Sequence, residues 1–129
     1  MAKHTLPRPT DAELAILNVL WRRGPSTVRQ VFEELEAERG TGYTTALKIL
    51  QNMFEKELVV RDDSARTHIY EAALSQEEAQ HQLVNDLLDK AFDGSAQQLI
   101  LHALSAKKAS PQELAQIRQM LRRMERGDK

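Results

Sequence analysis

The chain of 129 residues contains no cysteine, which excludes disulfides and thiolate metal sites within it. Aromatic residues make up only 5% of the sequence. No apolar run approaches the roughly 18 residues of a membrane span, and the first residues do not read as a secretory signal peptide. We therefore expect a soluble protein of the cytoplasm that does not insert into a membrane.

Signatures of catalysis are also missing. The sequence has no glycine-rich phosphate loop, no G-x-S-x-G nucleophile turn and no H-E-x-x-H zinc motif. Its four histidines, His4, His68, His81 and His102, are scattered singly, which is more typical of surface or packing residues than of metal ligands. We expect neither an enzyme nor a bound metal or cofactor.

Charge of one sign does not dominate either. The formal net charge is -1, and residues 1–71 contain 10 Lys and Arg against 11 Asp and Glu. A nucleic-acid-binding domain usually has a basic excess, so a basic surface here depends on where the charges lie. Acidic residues concentrate on the second predicted helix, whereas cations gather on the third helix, on the hairpin after it and in an N-terminal arm. These cations are Lys48, Arg61, Arg66, Lys3, His4 and Arg8.

What the sequence does contain is a series of clearly punctuated helices. Thr10 and Glu13 form a T-x-x-E capping box at the start of the first. Ser26 or Thr27 can cap the second, and each of these two helices stops at a glycine. Their apolar positions recur with a period of about 3.6 residues, which predicts that each buries one face.

A third helix is predicted over residues 43–57, with two different faces. At about 100° per residue, Leu47, Leu50 and Phe54 fall in one apolar stripe that we expect to pack inward. The opposite face carries mostly uncharged hydrogen-bonding side chains, which are suited to base edges and phosphates. These side chains are Thr44, Thr45, Lys48, Gln51, Asn52 and Glu55. A polar face that only meets solvent is the alternative that periodicity leaves open.

Two strand-like runs follow this helix around a polar turn, which is the order of a winged-helix DNA-binding domain. Residues 58–60 and 67–70 favour β structure, and residues 62–65 favour a turn. Arg66 would lie near the tip of this hairpin, where a cation can touch a phosphate or enter the minor groove. A solvated hairpin arginine is the alternative.

The last part of the chain is predicted to be wholly helical, with helices that begin at Ser75, Ser95 and Ser110. Their apolar positions outnumber those that a unit of about 55 residues can bury alone, and so small a domain is marginal as a monomer. We expect these positions to meet a second copy of the chain in a symmetric dimer. They are Leu83, Leu87, Leu88, Leu99, Leu114, Ile117 and Leu121. Packing of these helices back on the N-terminal half is the alternative.

Short motifs along the chain resemble the penicillinase-repressor family of BlaI/MecI type, which are bacterial winged-helix repressors. The motifs occupy residues 6–14 (LPRPTDAEL), 19–21 (VLW), 43–45 (YTT), 57–59 (ELV) and 92–95 (FDGS). Each is short, but their order and spacing together are fairly specific and cover nearly the whole chain.

The resemblance implies a mainly α fold with a small β-hairpin. A winged helix-turn-helix domain over residues 1–73 would be followed by an all-helical dimerisation domain over residues 74–129. Such a homodimer would repress transcription by occupying a palindromic DNA operator. By the resemblance, recognition falls to the third helix, which Tyr43 opens, while Arg66 is assigned to DNA contact from its place near the hairpin tip. The recognition residues on the helix would be Thr44, Thr45, Lys48, Gln51 and Asn52.

The mode of release is left open. Antibiotic-responsive members of the family are relieved by proteolysis at an Asn-Phe step after a membrane sensor signals, and the corresponding step here is His102-Ala103. This departure leaves a regulatory protease or membrane sensor as one candidate partner, beside a different inducer. Copper-responsive relatives carry a C-terminal cysteine cluster that this chain lacks.

Two other functions stay open at this point. One is a winged-helix regulator whose C-terminal domain senses a small molecule. The other is a winged-helix module that binds protein rather than DNA, which the near-neutral N-terminal half permits. The target genes, the operator sequence and the inducing signal cannot be read from the residues.

Overall fold

A computed structural model of the chain describes residues 8–127. Within that range the chain forms six helices and a three-stranded antiparallel sheet, which confirms the predicted mainly helical fold with a small hairpin. The helices are α1 (Asp11–Arg23), α2 (Val28–Arg39), α3 (Tyr43–Glu55), α4 (Gln76–Ala91), α5 (Ala96–Ala106) and α6 (Pro111–Glu125). The strands are β1 (Ser26–Thr27), β2 (Val59–Asp62) and β3 (Ile69–Ala72), in the order β1-β3-β2.

Side-chain caps decide where most of these helices begin. The Thr10 Oγ accepts the Glu13 N–H at 3.1 Å, and the Glu13 carboxylate accepts the Thr10 N–H at 2.9 Å. Thr27, rather than Ser26, caps α2, and it forms a second reciprocal box with Gln30. Serine caps open the last three helices: the Oγ atoms of Ser75, Ser95 and Ser110 each accept the N–H of the residue three positions later. The predicted helix starts at these serines are therefore confirmed.

The sheet has one strand more than the predicted hairpin. Ser26 and Thr27 pair with Tyr70 and Ile69 of β3, so β3 becomes the central strand. Ser26 is fully buried, and its hydroxyl donates to the Gly24 carbonyl at 2.9 Å. A two-residue strand carries no periodic signal of its own, and only its partner strand makes it recognisable.

One apolar core joins the first three helices to the sheet. Its buried members come from α1, α2, α3, the two hairpin strands and the segment that follows them. Trp21 lies at the edge of this core, and its indole N–H donates to the Leu74 carbonyl at 3.0 Å. The buried core residues include Ile16, Leu17, Leu20, Val31, Leu35, Leu50, Met53, Leu58, Tyr70 and Leu74.

The inward face of α3 differs from the predicted one. Ala46, Leu50 and Met53 are fully buried, whereas Leu47 is only half-buried and Phe54 is 36% exposed. The expectation that Phe54 packs inward is wrong. The apolar arc of α3 is wide enough for either set to face the core, and packing against α1 and α2 selects one edge of it.

The predicted end of α3 at residue 57 is also too late. The helix ends at Glu55, and Glu57 takes a left-handed backbone conformation with φ 67°. The Leu58 N–H then donates to the Met53 carbonyl at 2.9 Å, and both side chains are buried. This is a Schellman ending, in which a left-handed residue turns the chain from the helix into β2.

The described residues form two compact units, and the boundary between them lies between Leu83 and Val84, inside α4. The first contains the three-helix core and the sheet. The second contains the rest of α4, α5 and α6, and the turn after α4 passes through Asp93 and Gly94, both with positive φ. Separate DNA-binding and dimerisation roles for residues 1–73 and 74–129 stay a prediction.

Candidate nucleic-acid interface

The polar face of α3 is presented to solvent. Each of its five predicted recognition residues is exposed: Thr44, Thr45, Lys48, Gln51 and Asn52. All of them except Thr45 line one open groove beside the helix, together with Phe54, Glu55 and Arg61. The groove thus mixes amide and hydroxyl groups with two cations and one carboxylate, which is a surface able to donate to and accept from polar base edges.

A second groove runs between α3 and the hairpin. Arg66 lies in the loop between β2 and β3 and lines this groove together with Arg29 and Arg61. Thr67 and His68 contribute further polar groups, and none of the described residues that line it is acidic. Arg61 is paired with Asp63, whereas the Arg29 and Arg66 guanidinium groups have no carboxylate partner among the described residues and favour a polyanion such as a phosphate backbone.

Tyr43 links α3 to α2 rather than joining the polar face directly. Its ring meets Phe32 edge-on with centroids 5.5 Å apart, and the Arg29 guanidinium carbon lies 5.3 Å from the Tyr43 ring centre. The Tyr43 side chain is 40% exposed and lines the second groove. It therefore contacts Arg29 through a cation–π interaction at the edge of this groove.

Arg29 is a functional candidate that the sequence prediction missed. It lies in the first turn of α2, where a single cation among mixed residues gives no periodic signal. A hint was available, because Arg29 stands apart from the acidic run of the same helix. Its place beside α3 follows only from the way in which α2 and α3 pack.

Ion pairs between α1 and α2 engage part of the acidic charge that makes the N-terminal half of the chain nearly neutral. Arg22 bridges Glu34 and Glu38 at 3.2 and 3.0 Å, and Arg23 lies 3.4 Å from Glu34. The acidic residues of α2 are thus partly neutralised by α1. No ion pair among the described residues involves Arg29, Lys48 or Arg66. Three cations on α3 and around the second groove therefore keep their charge available to an anionic ligand.

The hairpin between these cations is held by short polar contacts. The Asp62 carboxylate accepts the Ser64 N–H at 2.9 Å, and its hydrogen bonds to the Ser64 side chain and backbone lower the pKa of Asp62. The Arg61 Nε donates to Asp63 at 2.8 Å. Hydrogen bonds with the Tyr70 hydroxyl and with Asp63 raise the pKa of Arg61, so this guanidinium stays charged.

Some predicted features lie elsewhere or outside the described residues. Lys3 and His4 of the proposed basic arm fall outside them, and Arg8 is exposed just before α1. Across residues 8–127 no group of three or more His, Asp or Glu side chains is arranged to hold a metal ion. In the same range no helix is long and apolar enough to cross a membrane.

The C-terminal unit presents a large apolar surface. None of residues 84–127 is fully buried in the single chain. Seven large apolar side chains are 42–68% exposed, namely Val84, Leu87, Ile100, Leu101, Met120, Leu121 and Met124. The other predicted dimer residues are half-buried: Leu83, Leu88, Leu99, Leu114 and Ile117. Patches of this kind mark protein interaction sites.

A three-helix core, a third helix with an exposed polar face and a wing that carries cations define the class of winged-helix DNA-binding proteins. The solution structure of the DNA-binding domain of the repressor BlaI is similar, with a TM-score of 0.52 at 20% identity over 59% of this chain and 93% of that one. The Bacillus licheniformis BlaI monomer in complex with the blaP half-operator matches with a TM-score of 0.51 at 20% identity, covering 57% of this chain and 90% of that one. At this identity the two structures support the fold alone.

The penicillinase repressor family model matches residues 9–123, and the transcriptional regulator BlaI of Mycobacterium tuberculosis is 36% identical over 98% of this chain and 91% of its own length. The chain belongs to the penicillinase repressor family and is a transcriptional repressor of the BlaI/MecI type. The resemblance drawn from the short motifs is thereby confirmed.

Proposed function

We propose that this repressor binds a two-fold symmetric DNA operator as a homodimer, with α3 of each subunit in a major groove and the wing on the adjoining backbone. The observation that carries the proposal is the placement of the cations around α3. Arg29, Lys48 and Arg66 lie around the exposed polar face of α3, while Glu34 and Glu38 of α2 are paired with Arg22 of α1. A polar reading face framed by cations suits a duplex better than a protein partner of mixed charge.

The division of labour within the interface follows from side-chain chemistry. Gln51 and Asn52 can each present a donor and an acceptor to the edge of an adenine, and Lys48 can donate to guanine. Arg29 and Arg66 lie to the side of α3, where the sugar-phosphate backbone would pass, and so would contribute affinity rather than sequence preference. The Gly42 N-cap offers no side chain to the first N–H groups of α3, which leaves them available to a phosphate.

Dimerisation through the C-terminal unit is supported by its exposed apolar side chains. Leu87 on α4 and Leu121 on α6 are 45% and 47% exposed in the single chain, and Met124 is exposed further. Covering such a surface with a second copy removes apolar area from water at about 25 cal/mol per Å². It would also place two reading helices at a fixed spacing, which a palindromic operator requires.

The release step proposed from the resemblance lies on α5. His102 and Ala103 are both exposed, and the His102 ring lies 5.8 Å from that of Phe92. A protease binds its substrate in an extended form, so cleavage here would need α5 to unwind locally. A regulatory protease or a membrane sensor that acts on this unit is part of the proposal. The function needs no catalysis by the chain itself, and a repressor that acts on bacterial DNA works in the cytoplasm.

Selection from a genomic library tests operator binding directly. The purified chain would be used to recover DNA fragments of its source organism, and the recovered fragments would be footprinted. We expect an inverted repeat with two protected half-sites about one or two helical turns apart. Binding without sequence preference, or no binding, would reject the operator proposal and favour a protein partner. A recovered single half-site bound by a monomer would reject the dimer alone.

A further inference from the structure

Arg61 lies between α3 and the wing, the hairpin formed by β2 and β3. Its side chain lines both grooves described above, together with Leu47 and Gln51. The guanidinium carbon lies 4.1 Å from the centre of the Phe54 ring on α3. Among the described residues, it is the one cation that borders both grooves.

The contacts of Arg61 tie three elements together. It belongs to β2, opposite Tyr70 of β3 in the antiparallel register, and both side chains line the second groove. Its Nε donates to Asp63 in the turn at 2.8 Å, while its flat face covers Phe54 of α3. One residue therefore connects both strands of the wing, their turn and α3.

The surroundings distinguish this contact from ordinary core packing. Phe54 is 36% exposed and lies on the groove side of α3, away from the buried set of Ala46, Leu50 and Met53. The Arg61 side chain keeps 23% of its surface exposed, and Asp63 offsets its charge locally. The core is complete without this pair, so the contact orients the wing more than it holds the domain together.

We infer that Arg61 is a positioning residue that sets the wing against α3, so that Arg66 and the polar face of α3 meet one duplex together. The inference rests on the proposed operator binding for its functional consequence. Only arginine meets the geometry, because a planar guanidinium can stack on the Phe54 ring while it donates in its own plane to Asp63. The compact ammonium of lysine would keep the charge and lose this double contact.

The full-length chain with Arg61→Lys and with Phe54→Leu tests the inference, and Val60→Thr serves as the matched control. Val60 neighbours Arg61 on β2, is 51% exposed and lines neither groove. The DNA probe is the inverted-repeat duplex recovered in the selection above. Because a cation–π contact is worth about 0.5–2 kcal/mol, we expect each variant to weaken operator binding roughly 3- to 30-fold, with Val60→Thr unchanged.

Coupling between the variants separates positioning from a direct phosphate contact. If Arg61 acts through Phe54, the double variant should bind no more weakly than either single one, and Arg66→Ala should lose most of its effect in the Arg61→Lys background. Additive effects, or an Arg61→Lys protein that binds as well as the parent, would overturn the inference. So would a fall in thermal stability that accounts for the loss of binding, because that would make the contact merely structural.

Hydrogen exchange of the free protein keeps this test independent of operator binding. Amides of residues 59–72 should exchange faster in Arg61→Lys and Phe54→Leu than in Val60→Thr, while those of the α1 core stay protected. Unchanged exchange in the wing would refute the positioning role even if the parent binds an operator. If the wing exchanges faster in the two variants but the parent binds no DNA, the operator proposal is rejected and the positioning of the wing by Arg61 is retained.

Discussion

Glu13 and Lys56, 43 residues apart in the sequence, form an ion pair of 2.6 Å that joins the start of α1 to the end of α3. One oxygen of the Glu13 carboxylate accepts the Thr10 N–H of the capping box, and the other accepts the Lys56 ammonium. The Glu13 side chain is only 5% exposed. A residue that forms part of a local helix cap thus also holds the end of α3 against α1.

Acid should weaken this domain through Glu13. Burial on its own would raise the pKa of Glu13, but the hydrogen bonds from Lys56 and Thr10 and the charge of Lys56 outweigh it, and the pKa is lowered from its ordinary 4.5. The pair therefore stabilises the fold at pH values above 4.5, and this contribution is lost as the pH falls through the lower pKa of the folded state.

Replacement of Glu13 by Gln measures this contribution. At pH 7 we expect Glu13→Gln to lower the free energy of unfolding by about 1–2 kcal/mol, since Lys56 is partly exposed and its charge is screened. The difference from the parent should shrink in urea unfolding between about pH 5 and pH 3. A difference that is constant across that range would show that the carboxylate charge is not responsible. Glu33→Gln, on the exposed surface of α2, is the control.

Base recognition by α3 predicts losses that depend on sequence. Lys48→Ala and Gln51→Ala should each weaken binding to the operator by about 1–3 kcal/mol and reduce the preference over a scrambled duplex. Both side chains are exposed and outside the core, so the thermal midpoint should not change. Binding assays on the two duplexes and melting of the free proteins check this. Parent-like operator binding by both variants would show that α3 is not the reading helix.

Phosphate contacts by the second groove predict a different signature. Arg29→Ala and Arg66→Ala should weaken operator and scrambled duplexes by similar factors, because a phosphate carries no sequence information. Each should also reduce the slope of log affinity against log salt by about 0.9. A salt titration of both variants measures the slope, and Arg39→Ala at the far end of α2 is the control. An unaltered slope for either arginine would remove it from the backbone contacts.

The dimer proposal predicts monomers from single charges on the apolar surface. Leu87→Asp or Leu121→Asp would put an unpaired carboxylate into the proposed interface, where a buried charge is strongly unfavourable. Sedimentation velocity should then show one chain per particle and operator binding should fall. Gln119→Asp, exposed on α6, should leave the association unchanged. Dimeric behaviour of both leucine variants would place the interface elsewhere.

Local sequence chemistry alone predicted much of this fold. A side-chain cap involves residues only three positions apart, so Thr10, Ser75 and Ser110 predict the starts of their helices whatever surrounds them. The exposed polar face of α3 could likewise be predicted from periodicity, because a run of polar side chains on one side of a helix has only one favourable direction to face. Membership of the penicillinase repressor family was also apparent from ordered short motifs.

The residues alone were thus enough to predict the order of the helices and the hairpin, the polar face of α3 and the family. Tertiary structure alone decided which edge of the apolar arc of α3 faces the core, that Ser26 and Thr27 become a strand, and that Arg29 joins the cations beside the wing. The pairs Glu13–Lys56 and Phe54–Arg61 belong to the same category. Periodicity and capping act within one turn or one element, whereas these contacts depend on how separate elements pack, which no local pattern encodes.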